Sequence, residues 1–241
     1  MDKKIIGVIG GMGPIATSHF MELVIRMTDA KVDQEHLDMI IYNIPSIPDR
    51  TEFILDPSKP NPVPEIIRIG HMLEKAGAEY LCMPCITAHS FMDQLRTSLC
   101  RPFINIVEET ANYLYREGIR KAGIMATDGT VSFGLFQKAF EEYNIEPCLP
   151  SPERQRDVMH IIYQNVKANM PVEMDRFQAV ETELKEAGAE AIILGCTELS
   201  LVKRDERIGS GFLDGMEVLA QTAVKVCGCK VKEEYLQLIT K

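Results

Sequence analysis

The sequence predicts an α/β fold of two similar lobes, each a parallel sheet flanked by helices, with a site in the cleft between them. Short apolar runs alternate with longer amphipathic segments along the 241 residues, and a unit containing Ala-Gly-Ala-Glu occurs twice. Continuous apolar strands between helices are typical of parallel sheets that are covered on both faces. Duplication of the unit indicates two lobes, and pseudo-two-fold symmetry between them would bring equivalent strand ends together.

The strands are predicted at the short apolar runs, because a strand buried on both faces lacks the polar alternation of an exposed one. These runs are residues 5–9, 39–44, 80–83, 103–106, 122–126 and 191–194. The helices are predicted where apolar residues recur every three or four positions. These segments are 16–30, 64–75, 88–97, 107–116, 131–143, 154–168, 172–187 and 212–226. Binding sites in such folds lie at the carboxyl ends of the strands.

The duplicated unit ends at a cysteine in both copies. Ala-Gly-Ala-Glu at 76–79 stands six residues before Cys85, and its second copy at 187–190 stands six residues before Cys196. A threonine follows each cysteine closely, at Thr87 and Thr197. Ala-Gly-Ala is also a common joint between a helix and a strand, because glycine caps helix ends. The matched distance to cysteine favours duplication, with one lobe at 1–99 plus 208–241 and the other at 102–206.

Composition and charge exclude several classes of protein. A hydrophobic fraction of 46% indicates a folded chain, and a net charge of −9 without a long basic cluster argues against nucleic acid as a partner. No apolar run approaches the ~20 residues that cross a bilayer. The start of the chain lacks the apolar core of a signal peptide. We therefore expect a cytoplasmic protein with no membrane partner, whose seven cysteines are free thiols.

Two cysteines that face one substrate can exchange its α-proton. Inversion of a stereocentre needs a base on one face and an acid on the other, and a thiol of pKa near ~8.5 serves either purpose. Cys85 and Cys196 both follow predicted strands and precede a helix or turn. Backbone N–H groups and the helix dipole favour a thiolate at such a position. The two residues are therefore the candidate catalytic pair.

The segments around these cysteines resemble those of aspartate racemases. Residues 83–89, Met-Pro-Cys-Ile-Thr-Ala-His, are similar to the first cysteine motif, and residues 194–199, Leu-Gly-Cys-Thr-Glu-Leu, to the second. Residues 10–14, Gly-Gly-Met-Gly-Pro, resemble the N-terminal loop. The resemblance covers essentially the whole chain and implies a member of the aspartate/glutamate racemase superfamily. Such a protein works with two cysteines and without a cofactor or metal ion, takes a small amino acid, usually dicarboxylic, and commonly forms a homodimer.

The same resemblance implies the residues that bind the substrate. Arg50 and Lys167 fall where aspartate racemases carry the cations that hold carboxylates, a task that suits a guanidinium fork and an ammonium group. Threonines at strand-to-helix turns either receive a carboxylate or simply cap the helix. The further candidates for substrate binding are Met12, Ile86, Thr87, Thr127, Thr130, Thr197 and Glu198. Ile86 departs from the family pattern, which has asparagine there, and this leaves the preferred substrate open.

The sequence leaves other interpretations open, although their support is weaker. The spacing of Cys82 and Cys85 fits a redox or half-zinc motif, yet no second pair lies at ligand spacing. The glycines after the first strand do not match the dinucleotide-binding pattern. His89 either orients the Cys85 thiol or packs in a helix. The functional alternatives are a related isomerase acting on another small carboxylate, and an amino-acid-binding or regulatory protein that has lost turnover.

Overall fold

Two parallel sheets form the centre of the molecule, as the sequence predicts. The computed structural model describes residues 3–241. The strands are β1 (Ile6–Gly10), β2 (Met39–Asn43), β3 (Tyr80–Cys82), β4 (Lys121–Ala126), β5 (Glu146–Cys148), β6 (Ala191–Gly195) and β7 (Phe212–Asp214). The first sheet has the order β2-β1-β3 and the second the order β5-β4-β6-β7, and every pair is parallel. In the first sheet β1 lies between β2 and β3, and in the second β4 lies between β5 and β6. The connectivity of these three strands is therefore duplicated.

Helices cover both sheets. They are α1 (Pro14–Met27), α2 (Arg50–Leu55), α3 (Val63–Lys75), α4 (Met92–Ser98), α5 (Ile106–Arg116), α6 (Asp128–Phe133), α7 (Leu135–Glu141), α8 (Pro152–His160), α9 (Met174–Glu186), α10 (Thr197–Asp205) and α11 (Gly215–Val226). Short 3-10 helices span Asp33–Glu35, Thr87–Phe91 and Glu233–Tyr235, and a π-helix, Ile161–Val166, continues α8. The two catalytic candidates stand directly before helical turns, as the sequence predicts.

Several predicted elements differ from the observed ones. The strand predicted at 103–106 is wrong, since only Phe103 makes a bridge, to Leu81, before the Asn105 side chain caps α5. The helix predicted at 131–143 breaks at Gly134, which has a left-handed φ of +73°. The helix predicted at 212–226 begins three residues late, because β7 precedes it. The strands β5 and β7 and the helices α2 and α10 were not predicted, since each is short.

The C-terminal segment joins the two halves. Strand β7 pairs with β6 in the second sheet, although the predicted first lobe contains its residues. Helix α11 then packs against α1 and α5. Since β7 belongs to the second sheet, residues 208–241 do not all lie in the first lobe, contrary to the prediction. The remaining lobe boundaries stay a prediction.

One apolar core runs through both halves. Its buried members include Val8 of β1, Ile124 of β4 and Leu219 of α11. Two smaller clusters lie on the outer faces, one around Ile69 of α3 and the other around Phe177 of α9. Because the central core draws on both sheets, the cleft between the sheets has a rigid base.

An apolar helix of ~20 residues is required to cross a bilayer. None of the helices of residues 3–241 is both long enough and apolar enough to span a membrane.

Candidate active site

Both candidate catalytic cysteines lie at the carboxyl ends of strands and line one small cavity. Cys85 follows β3, and Cys196 comes directly after β6. This inner cavity is lined by Met12, Asp49, Arg50, Thr51, Cys85, Ile86, Thr87, Thr127, Tyr163, Lys167, Cys196, Thr197 and Glu198. Of the residues predicted from sequence, only Thr130 is outside this lining. The cavity measures about 10 Å³, which is the space of roughly one water molecule.

A larger cavity of about 410 Å³ lies outside the inner one and is called the mouth here. Five residues border both cavities: Met12, Asp49, Arg50, Lys167 and Glu198. The remaining walls of the mouth are mostly apolar and come from the loop after β1, the segment before α2 and the helix α10. The inner cavity is therefore too small for an amino acid, whereas the mouth has the volume of a small-molecule site.

Cys85 is held by its backbone. Its carbonyl oxygen accepts a hydrogen bond of 2.9 Å from Nδ1 of His89, whose Nε2 in turn accepts from the N–H of Ile106 at 3.4 Å. Full burial is the main cause that lowers the pKa of His89 to about 4, so its ring is neutral near pH 7. His89 therefore fixes the position of the Cys85 backbone, and this answers the question that the sequence left open.

Arg50 is the cation beside Cys85. Its side chain is buried, with 8% of the residue exposed, and its Nη1 donates to the carbonyl oxygens of Ile47 and Pro48 at 3.4 and 3.0 Å. The buried Nε has no hydrogen-bond partner among residues 3–241. Burial alone would lower the pKa of Arg50, but the negative charges of Cys85 and Asp49 outweigh it and raise the pKa. Arg50 thus keeps a free donor and a full positive charge at the Cys85 end of the cavity.

Cys196 has an acidic neighbour instead. It forms the N-cap of α10, and its Sγ donates to Oε2 of Glu198 at 2.9 Å. The Thr197 hydroxyl donates to the same oxygen at 3.2 Å. Burial, followed by the charge of Glu198, raises the pKa of Cys196 well above its usual range. Cys196 is therefore a thiol at neutral pH. Its neighbour is the carboxylate of Glu198, whereas the neighbour of Cys85 is the cation of Arg50.

Lys167 and Tyr163 come from the π-helix segment and lie next to Asp49 of the other half. The ammonium of Lys167 is 4.1 Å from the centre of the Tyr163 ring and 3.6 Å from Oδ2 of Asp49. The Tyr163 hydroxyl also reaches both Asp49 oxygens at 3.5 Å. Burial would lower the pKa of Lys167, but nearby negative charge, first that of Glu198, outweighs it and raises the pKa. Asp49 and Lys167, which border both the inner cavity and the mouth, are thus in contact with each other.

Three of the predicted threonines form a cluster that joins the two halves. The hydroxyl of Thr87 is 2.9 Å from that of Thr127 and 3.1 Å from that of Thr130, and the latter two are 3.1 Å apart. Gly129 lies against Thr51, where an added β-carbon would approach to 3.0 Å. Thr130 does not line the inner cavity itself. Its hydroxyl contacts those of Thr87 and Thr127, which do line it.

Ile86 packs mainly into the core. A β-carbon on Gly215 would lie 3.2 Å from Ile86 Cδ1 and 3.7 Å from Ile106 Cδ1. Ile86 is almost fully buried, so the bare Gly215 at the start of α11 provides the space for its end. The departure from asparagine is thus accommodated by packing, with only part of the side chain bordering the cavity.

The sequence analysis missed three residues of the inner cavity. Asp49 and Thr51 flank Arg50, and their place beside it was the available signal. Tyr163 precedes Lys167 by four residues, the spacing that puts two side chains on one face of a helix. Among residues 3–241, no group of three or more His, Cys, Asp or Glu side chains is placed to hold a metal ion.

Comparisons with known proteins agree with this geometry. Residues 9–223 match the family described as Asp/Glu/Hydantoin racemase. The chain is 29% identical to a broad specificity amino-acid racemase of Bacillus subtilis (strain 168), over 91% of this chain and 96% of that protein. The structure of Picrophilus torridus aspartate racemase has a TM-score of 0.86 and 33% identity, covering 96% of this chain and 97% of that one. Glutamate racemase from Francisella tularensis, in complex with D-glutamate, shares the fold, with a TM-score of 0.68, 16% identity and coverage of 100% and 85%.

Proposed function

Because the chain belongs to the Asp/Glu/hydantoin racemase family and is an amino-acid racemase, we propose that it interconverts L- and D-aspartate by proton exchange between Cys85 and Cys196. Glutamate is the other candidate substrate. The observation that carries this proposal is the common cavity of the two cysteines, with a cation beside one and a carboxylate hydrogen-bonded to the other.

The opposite neighbours give the two sulfurs different roles in the free enzyme. Arg50 favours the thiolate of Cys85, whereas Glu198 favours the thiol of Cys196. The two sulfurs thus have neighbours of opposite charge before a substrate binds. This arrangement meets the requirement of a two-base mechanism, in which one sulfur removes the α-proton and the other supplies a proton from the opposite face.

Proton and charge balance in each direction. Cys85 takes the α-proton of the D-enantiomer, and the electron pair of the C–H bond moves onto the α-carbon and its carboxylate. The Cys196 thiol then protonates the opposite face and becomes a thiolate, which gives the L-enantiomer. In the reverse direction Cys196 is the base and Cys85 the acid. The D-to-L turnover leaves the sulfurs in the protonation states that this direction needs, with Cys196 as the thiolate and Cys85 as the thiol.

The cations in the cavity favour a dicarboxylic substrate. Arg50 has an unpaired buried Nε, and Lys167 has only a single ion pair, at 3.6 Å, among residues 3–241. A guanidinium fork and an ammonium group suit two carboxylates. We expect one of these two cations to bind the α-carboxylate and the other to bind the side-chain carboxylate.

A broader specificity is the second candidate, and the mouth supports it. Its walls include Ile15, Ile47, Val166 and Leu201, which offer apolar contacts to larger side chains. One relative is described as a broad specificity racemase. An activity panel of neutral and acidic amino acids separates the two candidates, since a dicarboxylate clamp requires the acidic ones to be preferred.

The deciding experiment measures α-deuterium exchange and racemisation of single enantiomers of aspartate and glutamate in deuterated water. Wild type should do both, while Cys85→Ser should lose racemisation and retain some exchange of the L-enantiomer through Cys196. Cys196→Ser should show the reverse preference. Cys100→Ser alters an exposed thiol outside the cleft and should behave as wild type.

Two results would contradict the proposal. Full racemisation by either active-site variant would exclude the two-base mechanism. Amino-acid binding without any α-deuterium exchange in wild type would identify a binding protein instead of an enzyme. The expected homodimer is tested separately by light scattering of the purified chain.

A further inference from the structure

The two halves of the fold come into close contact at a glycine beside the active site. Gly129 is buried in the first turn of α6. A β-carbon on it would lie 3.0 Å from Cα of Thr51, 3.1 Å from Oγ1 of Thr51 and 3.2 Å from Cγ2 of Thr87. The optimal separation of two carbon atoms is about 3.5–4.0 Å. The backbone of α6 therefore approaches the first half more closely than a residue with a side chain allows.

Gly129 is close to Cys196 through the second sheet. Ala126 at the end of β4 pairs with Gly195 at the end of β6. The next residues, Thr127 and Cys196, therefore leave the sheet side by side, because paired positions in parallel strands advance together. Gly129 follows Thr127 by two residues. A displacement of the turn at Gly129 thus acts on the strand end beside Cys196.

A hydrogen bond joins this turn to the segment of the other cysteine. Thr87 follows Cys85 by two residues, and its hydroxyl lies 2.9 Å from the hydroxyl of Thr127. A path from Cys85 to Cys196 therefore crosses between the halves through one side-chain contact. A β-carbon on Gly129 would meet the methyl group of Thr87 and would oppose this contact.

Hydrogen bonds hold the backbone on both sides of the contact. The Gln155 side chain, from α8, donates from Nε2 to the carbonyl oxygen of Ala126 at 3.0 Å and to Oδ1 of Asp128 at 2.8 Å. Thr51 lies in the first turn of α2, whose N-terminus is held by a side-chain cap. Packed interiors transmit strain rather than absorb it. Strain introduced at Gly129 should therefore reach the ends of the strands.

We propose that Gly129 is a positioning residue, which permits the close approach that sets the separation of the Cys85 and Cys196 sulfurs. A two-base mechanism needs both sulfurs within reach of one α-carbon, one on each face. Gly129 itself borders neither the inner cavity nor the mouth, so its replacement removes no contact to a substrate. The consequence for catalysis rests on the proposed function, whereas the consequence for the geometry does not.

The geometric test compares crystal structures of wild type and Gly129→Ala. The separation between the sulfurs of Cys85 and Cys196 should increase by a few tenths of an ångström, and the hydroxyls of Thr87 and Thr127 should move apart from 2.9 Å. An unchanged sulfur separation, with only α2 displaced, would overturn the proposal. This measurement needs no turnover, so it applies whether or not the protein racemises aspartate.

The kinetic test follows two fates of the α-proton of a single enantiomer of aspartate in deuterated water. Formation of the opposite enantiomer needs both sulfurs, whereas deuterium in the recovered starting enantiomer needs only one. A misplacement of 1 Å can cost about 10²-fold in rate, so a few tenths of an ångström should lower inversion relative to exchange about threefold or more in Gly129→Ala. A merely destabilised protein loses both in proportion. An unchanged ratio would therefore refute the role in catalysis.

Gly70→Ala is the matched control. Gly70 is a buried glycine of α3 outside both cavities, and a β-carbon on it would approach the Leu99 side chain to 2.6 Å. The substitution strains the packing in a similar way but away from the contact between the halves. It should lower the stability and keep the wild-type ratio of inversion to exchange. A changed ratio in Gly70→Ala would show that packing strain alone is responsible and would overturn the proposal.

A double variant tests the contact itself. Thr87→Ser removes the methyl group that lies 3.2 Å from the added β-carbon and keeps the hydroxyl that contacts Thr127. The effect of Gly129→Ala on the ratio should therefore be smaller in the Thr87→Ser background than in wild type. Should Gly129→Ala alone fail to fold, the double variant is compared with Thr87→Ser.

The remaining outcomes separate the two proposals. An equal effect of Gly129→Ala in both backgrounds would show that the contact with Thr87 does not transmit the strain, and this would overturn the positioning role. If wild type shows neither exchange nor inversion, the proposed function fails. The sulfur separation in the crystal structures then still decides whether Gly129 sets the geometry.

Discussion

The thiol of Cys196 and the carboxylate of Glu198 are joined by a hydrogen bond of 2.9 Å at the start of α10. This pair has no acidic counterpart at Cys85, where Arg50 is the neighbour. The two halves of the fold duplicate the position of the cysteine, yet they reverse the sign of the charge beside it. The two sulfurs consequently have opposite electrostatic surroundings, although the backbones that hold them are similar.

Replacement of Glu198 by Gln should make Cys196 more acidic. Loss of the negative charge removes one of the causes that raise the pKa of this thiol. Alkylation of Cys196 by iodoacetamide, followed by peptide mass spectrometry from pH 6 to 10, should therefore begin at a lower pH than in wild type. Deuterium exchange of the L-enantiomer should become faster, because a larger fraction of Cys196 is then the thiolate base. An unchanged alkylation profile would show that Glu198 does not control Cys196.

Arg50→Ala should weaken turnover of aspartate severely. Removal of one partner from a buried charged contact costs about 2–5 kcal/mol, which corresponds to a loss of about thirtyfold or more in kcat/KM. Arg50→Lys retains the charge without the fork and should recover only part of the activity. Arg96→Ala, which removes an exposed arginine paired with Glu108, serves as the control. Intact aspartate turnover in Arg50→Ala would refute the carboxylate clamp.

Asp49→Asn should tighten the binding of dicarboxylic substrates. Asp49 competes for Lys167 at 3.6 Å, and its charge also repels an entering carboxylate. Asparagine still accepts the capping hydrogen bond from the N–H of Glu52, so α2 should remain intact. We expect KM for aspartate to fall a few-fold, with a smaller effect on a neutral amino acid. Asp56→Asn, at the other end of α2, is the matched control, and a rise in KM would show that Asp49 does not compete with the substrate for Lys167.

His89 should make the protein less stable in mild acid. Its folded pKa of about 4 lies below the usual value of 6.5, so the unfolded chain binds the extra proton first and stability falls as the pH drops below about 6.5. Between pH 7.5 and 5 this residue accounts for about 2 kcal/mol of unfolding free energy. Urea titrations should show a smaller loss in His89→Asn, and the exposed His71→Asn should keep the wild-type dependence. Equal losses of unfolding free energy in all three proteins would show that His89 does not cause the pH dependence.

The local sequence predicted those parts of the site that depend on strand ends. Cys85 and Cys196 follow apolar runs, and in a parallel sheet the carboxyl ends of strands meet at one edge. Duplication of the unit then indicated that two such edges face each other. Thr87, Thr127 and Thr197 were accessible to the same reasoning, because each stands at a strand-to-helix turn. Short elements such as β7 were not, since three residues are too few for a periodic pattern.

The sequence by itself therefore determined the fold class and the two cysteines, because apolar runs, helix periodicity and the duplicated unit are local patterns, while the resemblance to aspartate racemases implied Arg50, Lys167 and other residues of the cavity lining. Only the tertiary structure decided that Asp49 lies against Lys167, that Ile86 fills the space left by Gly215, and that the Ser200 hydroxyl donates to the buried Asp214. Each of these contacts joins residues that are distant in the chain. Their geometry depends on how helices pack over two sheets, and packing at that scale leaves no periodic signal in a single sequence.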